Sequence, residues 1–163
     1  MIDQIVKEIR AALANGSFIL ALMGALTLPD LCGKAEYPNE RDSTERYKKW
    51  YREWIGKYEK NPDGDELMPF LDEDLICDLR GCLFHEGKPS VNLLSHHLKR
   101  FELIKTKGVY RGAVASYEDN GINRTLSIPV GNLVFKLCTC AENYYKKNKE
   151  KFSFDYTLAD DPF

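Results

Sequence analysis

Asp72-Glu-Asp-Leu-Ile-Cys-Asp-Leu-Arg-Gly-Cys-Leu-Phe-His-Glu-Gly87 reads as a short helix with a start, a buried face and a stop. Asp72 is an N-cap, its carboxylate placed to take the free N–H groups of the first turn. Leu71 and Ile76 stand at the two positions of a hydrophobic staple. Leu75, Ile76, Leu79 and Leu83 recur at three and four, so one face meets a core. Gly87 ends the helix and Pro89 prevents its return. Arg80 lies at the edge of the apolar stripe. His85 lies in the last turn, where unpaired carbonyls favour the imidazolium. Five residues of helix separate the two by about 140° and about 7.5 Å of rise, a gap that a long Arg side chain narrows.

Upstream the same reading gives three more helices. Ile2, Ile5, Val6, Ile9 and Leu13 form a stripe, and Asn15-Gly16 ends it. Ser17 is placed to cap a second helix, Phe18 to about Leu28, apolar nearly all round and so enclosed by others. Pro29 is expected to break it, with a short turn and loop to Pro38. At about 11 apolar residues this segment is too short to span a bilayer. Asp42 or Ser43 starts a third helix to about Lys60, with Tyr47, Trp50, Tyr51, Trp54 and Tyr58 at helical spacing and basic residues between them. Asn61-Pro-Asp-Gly64 is turn chemistry.

Downstream the period changes from 3.6 to 2. Phe101 to Thr106 and Val109 to Glu118 are strand-like, split by Lys107-Gly108. Asn120-Gly121 is a hairpin turn, and Ile122 to Ile128 alternates apolar and polar. Pro129 opens a last helix with Val130, Leu133, Val134, Leu137 and Ala141 on one face. The fold expected is mainly α. It is a single domain, residues 1–163, of four to five helices with an inserted three-stranded antiparallel meander at about 100–128.

With 163 residues, 44% hydrophobic and 29% charged, the chain has the composition of a soluble globular domain. Its formal net charge of −2 supplies no general field for nucleic acid, so such a contact must use a local patch. Arg46, Lys49 and Arg52 on the third helix are the candidate patch, the aromatics between them being core before they are a stacking platform. Five cysteines without framework spacing read as reduced thiols in the cytoplasm. Lys7 and Arg10 precede the apolar run, but Asp3 and Glu8 dilute them and no cleavage pattern follows, so no secretory leader and no membrane association are expected. Cys82, His85, Cys138 and Cys140 do not have the spacing of a known zinc site. His96-His97 before Lys99-Arg100 falls in an expected loop. No P-loop, dinucleotide fingerprint, serine-hydrolase elbow or zinc-peptidase motif occurs, and no cofactor is expected.

Arg80 and His85 are the candidate catalytic pair. Arg holds a phosphate and the charge that builds on it; His moves a proton near neutral pH. The plainer reading of the same residues is an Arg80 ion pair with Asp74 or Glu73 and a His85 that caps carbonyls.

Leu79-Arg-x4-His-x-Gly87 in a helical-bundle chain resembles the motif of the HEPN superfamily, Arg, four to six residues, then His. Leu28-Pro-Asp-Leu-Cys-Gly33 is similar to a segment of small uncharacterised bacterial proteins that carry a like motif. The resemblance covers about Ile2 to Gly87 and the last helix. It implies a bundle of four or five helices and, in active members, a dimeric, metal-independent ribonuclease. In other members it implies a binding or accessory domain. It therefore implies RNA, a second copy of the chain, and an antitoxin or other partner protein as candidate partners. One departure bears on activity: members often place Asn, Asp or His directly after the motif Arg, where this chain has Gly81. A glycine within a helix costs about 1 kcal/mol against alanine, which suggests close approach of another backbone. Two readings stand. One is an endoribonuclease of toxin or phage-defence type using Arg80 and His85. The other is a noncatalytic nucleotide- or RNA-binding or protein-interaction module.

Overall fold

The computed structural model describes residues 1–58, 71–86, 98–107, 116–119, 124–153 and 159. The side chains of residues 85, 86, 98–100, 116–119 and 124 are outside that description, as are Gly87, Pro89, His96-His97 and Asn120-Gly121. The described part is mainly helical, with a small sheet.

Helix α1 (Ile2–Ala14) buries Ile2, Val6, Ile9 and Leu13 of the expected stripe and leaves Ile5 partly buried against the core. At its end Gly16 takes φ +81°. The Ser17 N–H bonds the Ala12 carbonyl and the Gly16 N–H the Leu13 carbonyl, closing the helix with a left-handed turn. Ser17 then occupies the N-cap position of α2 (Phe18–Glu36), but its side chain makes no capping bond.

Pro29 does not break α2, contrary to the expectation; it is buried inside a helix of 19 residues. The reason is tertiary. A proline inside a helix costs about 3 kcal/mol, through one lost hydrogen bond and a clash with the carbonyl four residues back. Fully burying one leucine returns about 2 kcal/mol, and Leu22, Leu26 and Leu28 are all fully buried here, with Ala21, Ala25 and Cys32. Helices α1, α3 (Ser43–Trp54) and α5 (Val130–Lys147) pack around it. Cys32 is close to Cys140, and one turn on Glu36 meets Tyr144, so α2 and α5 run in the same direction. By length and composition α2 could cross a bilayer, which the expected 11-residue run could not.

Helix α3 begins at the expected cap: the Asp42 carboxylate accepts from Thr44 N–H at 2.8 Å and Glu45 N–H at 3.3 Å. It ends at Trp54, earlier than Lys60, and tightens into a 3₁₀ turn, Gly56–Tyr58. Tyr47, Trp50 and Tyr51 have no exposed surface. Helix α4 (Glu73–Gly81) is capped by Asp72, which accepts from Asp74 and Leu75 N–H. The staple residues Leu71 and Ile76 are both fully buried. Helix α5 follows Pro129 directly and buries all five predicted residues of its apolar face.

The sheet differs from the expected antiparallel meander. Its strands are β1 (Leu98–Ile104), β2 (Ser116–Asp119) and β3 (Arg124–Pro129), in the order β1-β3-β2. Strands β2 and β3 pair antiparallel, with Asp119 opposite Arg124, as flanks of the expected hairpin. Strand β1 instead pairs with β3 in parallel, Phe101 opposite Leu126 and Leu103 opposite Ile128. Burial explains the order. Leu126, Ser127 and Ile128 are all buried, so β3 is covered on both faces and takes the centre. The Ser127 hydroxyl is matched across the ladder by Glu102, at 2.7 Å. Residues 105–123 are long enough for the crossover that a parallel pair needs.

The parallel register has a further effect. It brings the end of β1 to the start of α5, where Pro129 offers no capping side chain. The Thr106 hydroxyl accepts from the Gly131 N–H at 2.9 Å and does the cap's work from another element. Gly131 permits the approach: a Cβ there would lie 2.3 Å from the Thr106 carbonyl oxygen. Thr106→Ala is therefore expected to cost about 1 kcal/mol, and Gly131→Ala about 1–3 kcal/mol, measured by urea unfolding. A neutral Gly131→Ala would refute this account of the β1–α5 junction.

Candidate active site at the end of α4

Arg80 is on the last turn of α4. Its Nη2 forms an ion pair with Asp30 Oδ2 at 3.0 Å, with 21% of the Arg80 side chain and 32% of the Asp30 side chain exposed. Its guanidinium carbon lies 4.8 Å from the centre of the Tyr47 ring, a cation–π distance. Three helices thus meet at one guanidinium: α4 carries it, α3 supplies the ring beneath it, and α2 supplies the carboxylate beside it. The partners expected from local sequence are engaged elsewhere. Asp74 pairs with Lys48 at 2.7 Å and Glu73 with Arg52 at 2.5 Å.

Tyr47 is fully buried, and among the described residues its hydroxyl has no hydrogen-bond partner. Burial pushes that phenol well above its ordinary range, against the pull of the Arg80 charge, so it stays neutral. Beside it Cys77 is also raised by burial, opposed by the charges of Lys48 and Arg80, which keeps it a thiol rather than a nucleophilic thiolate.

After Gly81 the chain does not stop; it widens into a π-helical turn, Cys82–Glu86. In that winding the hydrogen bond spans five residues rather than four. Two positions five apart are then closer in azimuth than the 140° of an α-helix, so position 85 is carried back towards the face of Arg80. The His85 side chain is outside the described residues. Gly81 is expected to admit a close neighbour, but among the described residues, its own helix turn aside, nothing lies within 4 Å of where its Cβ would be.

The three basic residues considered for nucleic acid each have an acceptor in the chain. Arg46 donates to the Glu40 backbone carbonyl. Lys49 pairs with the Glu40 carboxylate at 3.0 Å, and Arg52 with Glu73. These contacts hold α3 to the loop before it and to α4, and a phosphate would have to displace them. Most of the aromatic stripe is core: Tyr47, Trp50 and Tyr51 present no face to a base and Trp54 is partly buried, while Tyr58 is 71% exposed. Cys138 is buried, its thiol pushed up to about 12 by desolvation. Among the described residues no group of three or more His, Cys, Asp or Glu is placed to hold a metal ion.

A second polar cluster lies at the far end of α2. An open cleft of about 370 Å³ is lined by Glu36, Tyr37, Pro38, Asn39, Glu40 and Lys49. At its edge Glu36 Oε2 accepts from the Tyr144 hydroxyl at 2.5 Å and from Lys151 Nζ at 2.6 Å. Asp30 and Tyr47 were not singled out from the sequence as partners of Arg80. Asp30 does fall in the quoted segment Leu28–Gly33, the one local signal that it matters.

No protein-family model, no curated protein and no solved structure matches this chain.

The hydrogen bond from Lys151, followed by that from Tyr144, holds the Glu36 carboxyl below its ordinary value of 4.5. A carboxyl lowered by folding stabilises the fold above its unfolded value and loses that contribution as pH falls through the folded value. The Tm of the wild type should therefore fall on acidification below about pH 4.5. Glu36→Gln should lower the Tm at pH 7 and flatten the acid limb, read by thermal unfolding at pH 3 to 7. An unchanged acid limb would remove Glu36 from this role.

Proposed function

We propose that this chain is a HEPN-like protein whose Arg80 and His85 form a metal-independent endoribonuclease site. The observation that carries the reading is the setting of Arg80. It is seated on an aromatic ring and part-exposed, at the point where α4 widens towards position 85. A structural arginine on a helix this short had two acidic residues in its own first turn to pair with, and it pairs with neither.

The chemistry follows from the groups. The 2′-hydroxyl of RNA attacks the adjacent phosphorus, and His85 moves the proton as general base or acid. Arg80 takes the charge that develops on the nonbridging oxygens. The 5′-oxygen leaves, giving a 2′,3′-cyclic phosphate and a free 5′-hydroxyl, so DNA is not a substrate. The protein acts in the cytoplasm as a homodimer with the two α4 helices near its axis. The open space beside Gly81 is where a partner backbone would come. An antitoxin or other partner protein would control such an activity.

The other reading, a noncatalytic binding or interaction module, is favoured by a separate observation. Gly81 puts no polar group after Arg80, and Arg46, Lys49 and Arg52 are all taken up by acceptors of the chain itself.

Incubating RNA in EDTA with wild type, Arg80→Ala and His85→Ala decides between them. Wild type should leave 2′,3′-cyclic phosphate ends. His85→Ala should lose about 10²–10⁴ in rate and Arg80→Ala about 10²–10³, both remaining folded by circular dichroism. Cleavage that survives both substitutions rejects the site, and no cleavage of any RNA by wild type favours the binding module. Light scattering at micromolar concentration should give the mass of a dimer; a monomer would count against the paired arrangement.

A further inference from the structure

We infer that Asp30 is a built-in competitor for the anion site of Arg80, a carboxylate that occupies the guanidinium until a phosphate displaces it. The inference rests on the reading that Arg80 holds phosphate, and not on whether the bond is then cut.

Two independent holds act on this guanidinium. The Tyr47 ring lies under it, at 4.8 Å, and is part of the sealed core. That hold fixes the plane of the group and does not depend on any anion. Asp30 lies at its edge, the closest approach being 3.0 Å between Nη2 and Oδ2. An arginine–carboxylate pair at its strongest is a bidentate fork of aligned hydrogen bonds. Among the described residues this guanidinium has the Asp30 ion pair and no aligned side-chain hydrogen bond, so its five N–H donors are not saturated by the protein. Both side chains reach solvent, so an incoming anion has a path to the pair.

The energetics favour exchange. A part-exposed ion pair contributes little, because water screens it. The phosphodiester of RNA carries the same single charge as a carboxylate but presents two nonbridging oxygens that match the guanidinium fork, and inorganic phosphate adds further charge. When Asp30 gives way the ring still seats the guanidinium, so no ordering has to be repeated. Without an anionic ligand the site is neutralised, which keeps a lone cationic centre from attracting every polyanion to a protein of net charge −2.

The test uses inorganic phosphate as the probe and the Arg80 side-chain Nε–Hε resonance as the readout, with ionic strength held constant by chloride. Phosphate should shift that resonance in the wild type. Asp30→Asn, which removes the charge and keeps the shape, should tighten phosphate binding about two- to fivefold. Arg80→Gln, which removes that resonance, should abolish phosphate binding in both backgrounds as read from the ³¹P line of the phosphate itself. Asp30→Ser provides the same test should Asp30→Asn fail to fold. Unchanged or weaker binding in the Asp30 variants overturns the inference, as does a shift that follows ionic strength instead of phosphate. The two readings fail separately. RNA cleavage by a wild type whose Asp30 variants bind phosphate no tighter sinks the competitor alone. Tighter phosphate binding by Asp30→Asn in a protein that cuts no RNA leaves the competitor standing and removes the ribonuclease.

Discussion

Helix α2 has to be covered, and most of the molecule is arranged to do it. Its sequence offers no polar face wide enough to be left in water, so α1, α3 and α5 close over Ala21, Leu22, Ala25, Leu26 and Leu28, while Ile19 and Leu20 near its start stay exposed. That burial outweighs the cost of Pro29 and continues the helix two turns past the residue that would otherwise end it. Everything placed by those two turns follows from this: Asp30 beside Arg80, Cys32 against α5, Glu36 against Tyr144 and Lys151.

The site inherits that dependence. Arg80 has no strong partner on its own helix, and its position is set jointly by a ring from α3 and a carboxylate from α2. Such a group is held in place by the core and neutralised at the surface, two tasks carried by different residues. The neighbouring ion pairs, Lys48 with Asp74 and Arg52 with Glu73, tie α3 to α4 and so keep the ring beneath the guanidinium. Each is part-exposed and individually weak. Their value is geometric, since they select one packing of α3 on α4 over its neighbours.

The β region shows the same division between local and tertiary control. Alternation of apolar and polar residues marks the strands, and the β2–β3 pairing is the local hairpin that a short connection favours. Which strand lies in the middle is not a local property. It depends on which one is covered on both faces, and β3 is, because α5 begins where it ends. The parallel pairing of β1 then brings Thr106 to an otherwise uncapped helix start.

Caps, stripes and punctuation were therefore legible in the sequence. Asp42 and Asp72 cap the helices they precede, Gly16 turns the chain left-handed, and the apolar faces of α1, α4 and α5 are buried as their spacing dictates. Each depends on residues within about one or two turns of one another, so a linear string contains the whole interaction. The spacing of Arg80 and His85 is likewise a local property of the string, which is why the pair can be proposed from sequence. The helix through Pro29, the parallel strand and the Asp30–Arg80–Tyr47 contact were not. In each, a local preference is opposed or completed by residues tens of positions away. Propensities of 1 to 3 kcal/mol decide structure only where burial of comparable size does not act against them, and that balance exists only once the chain has packed.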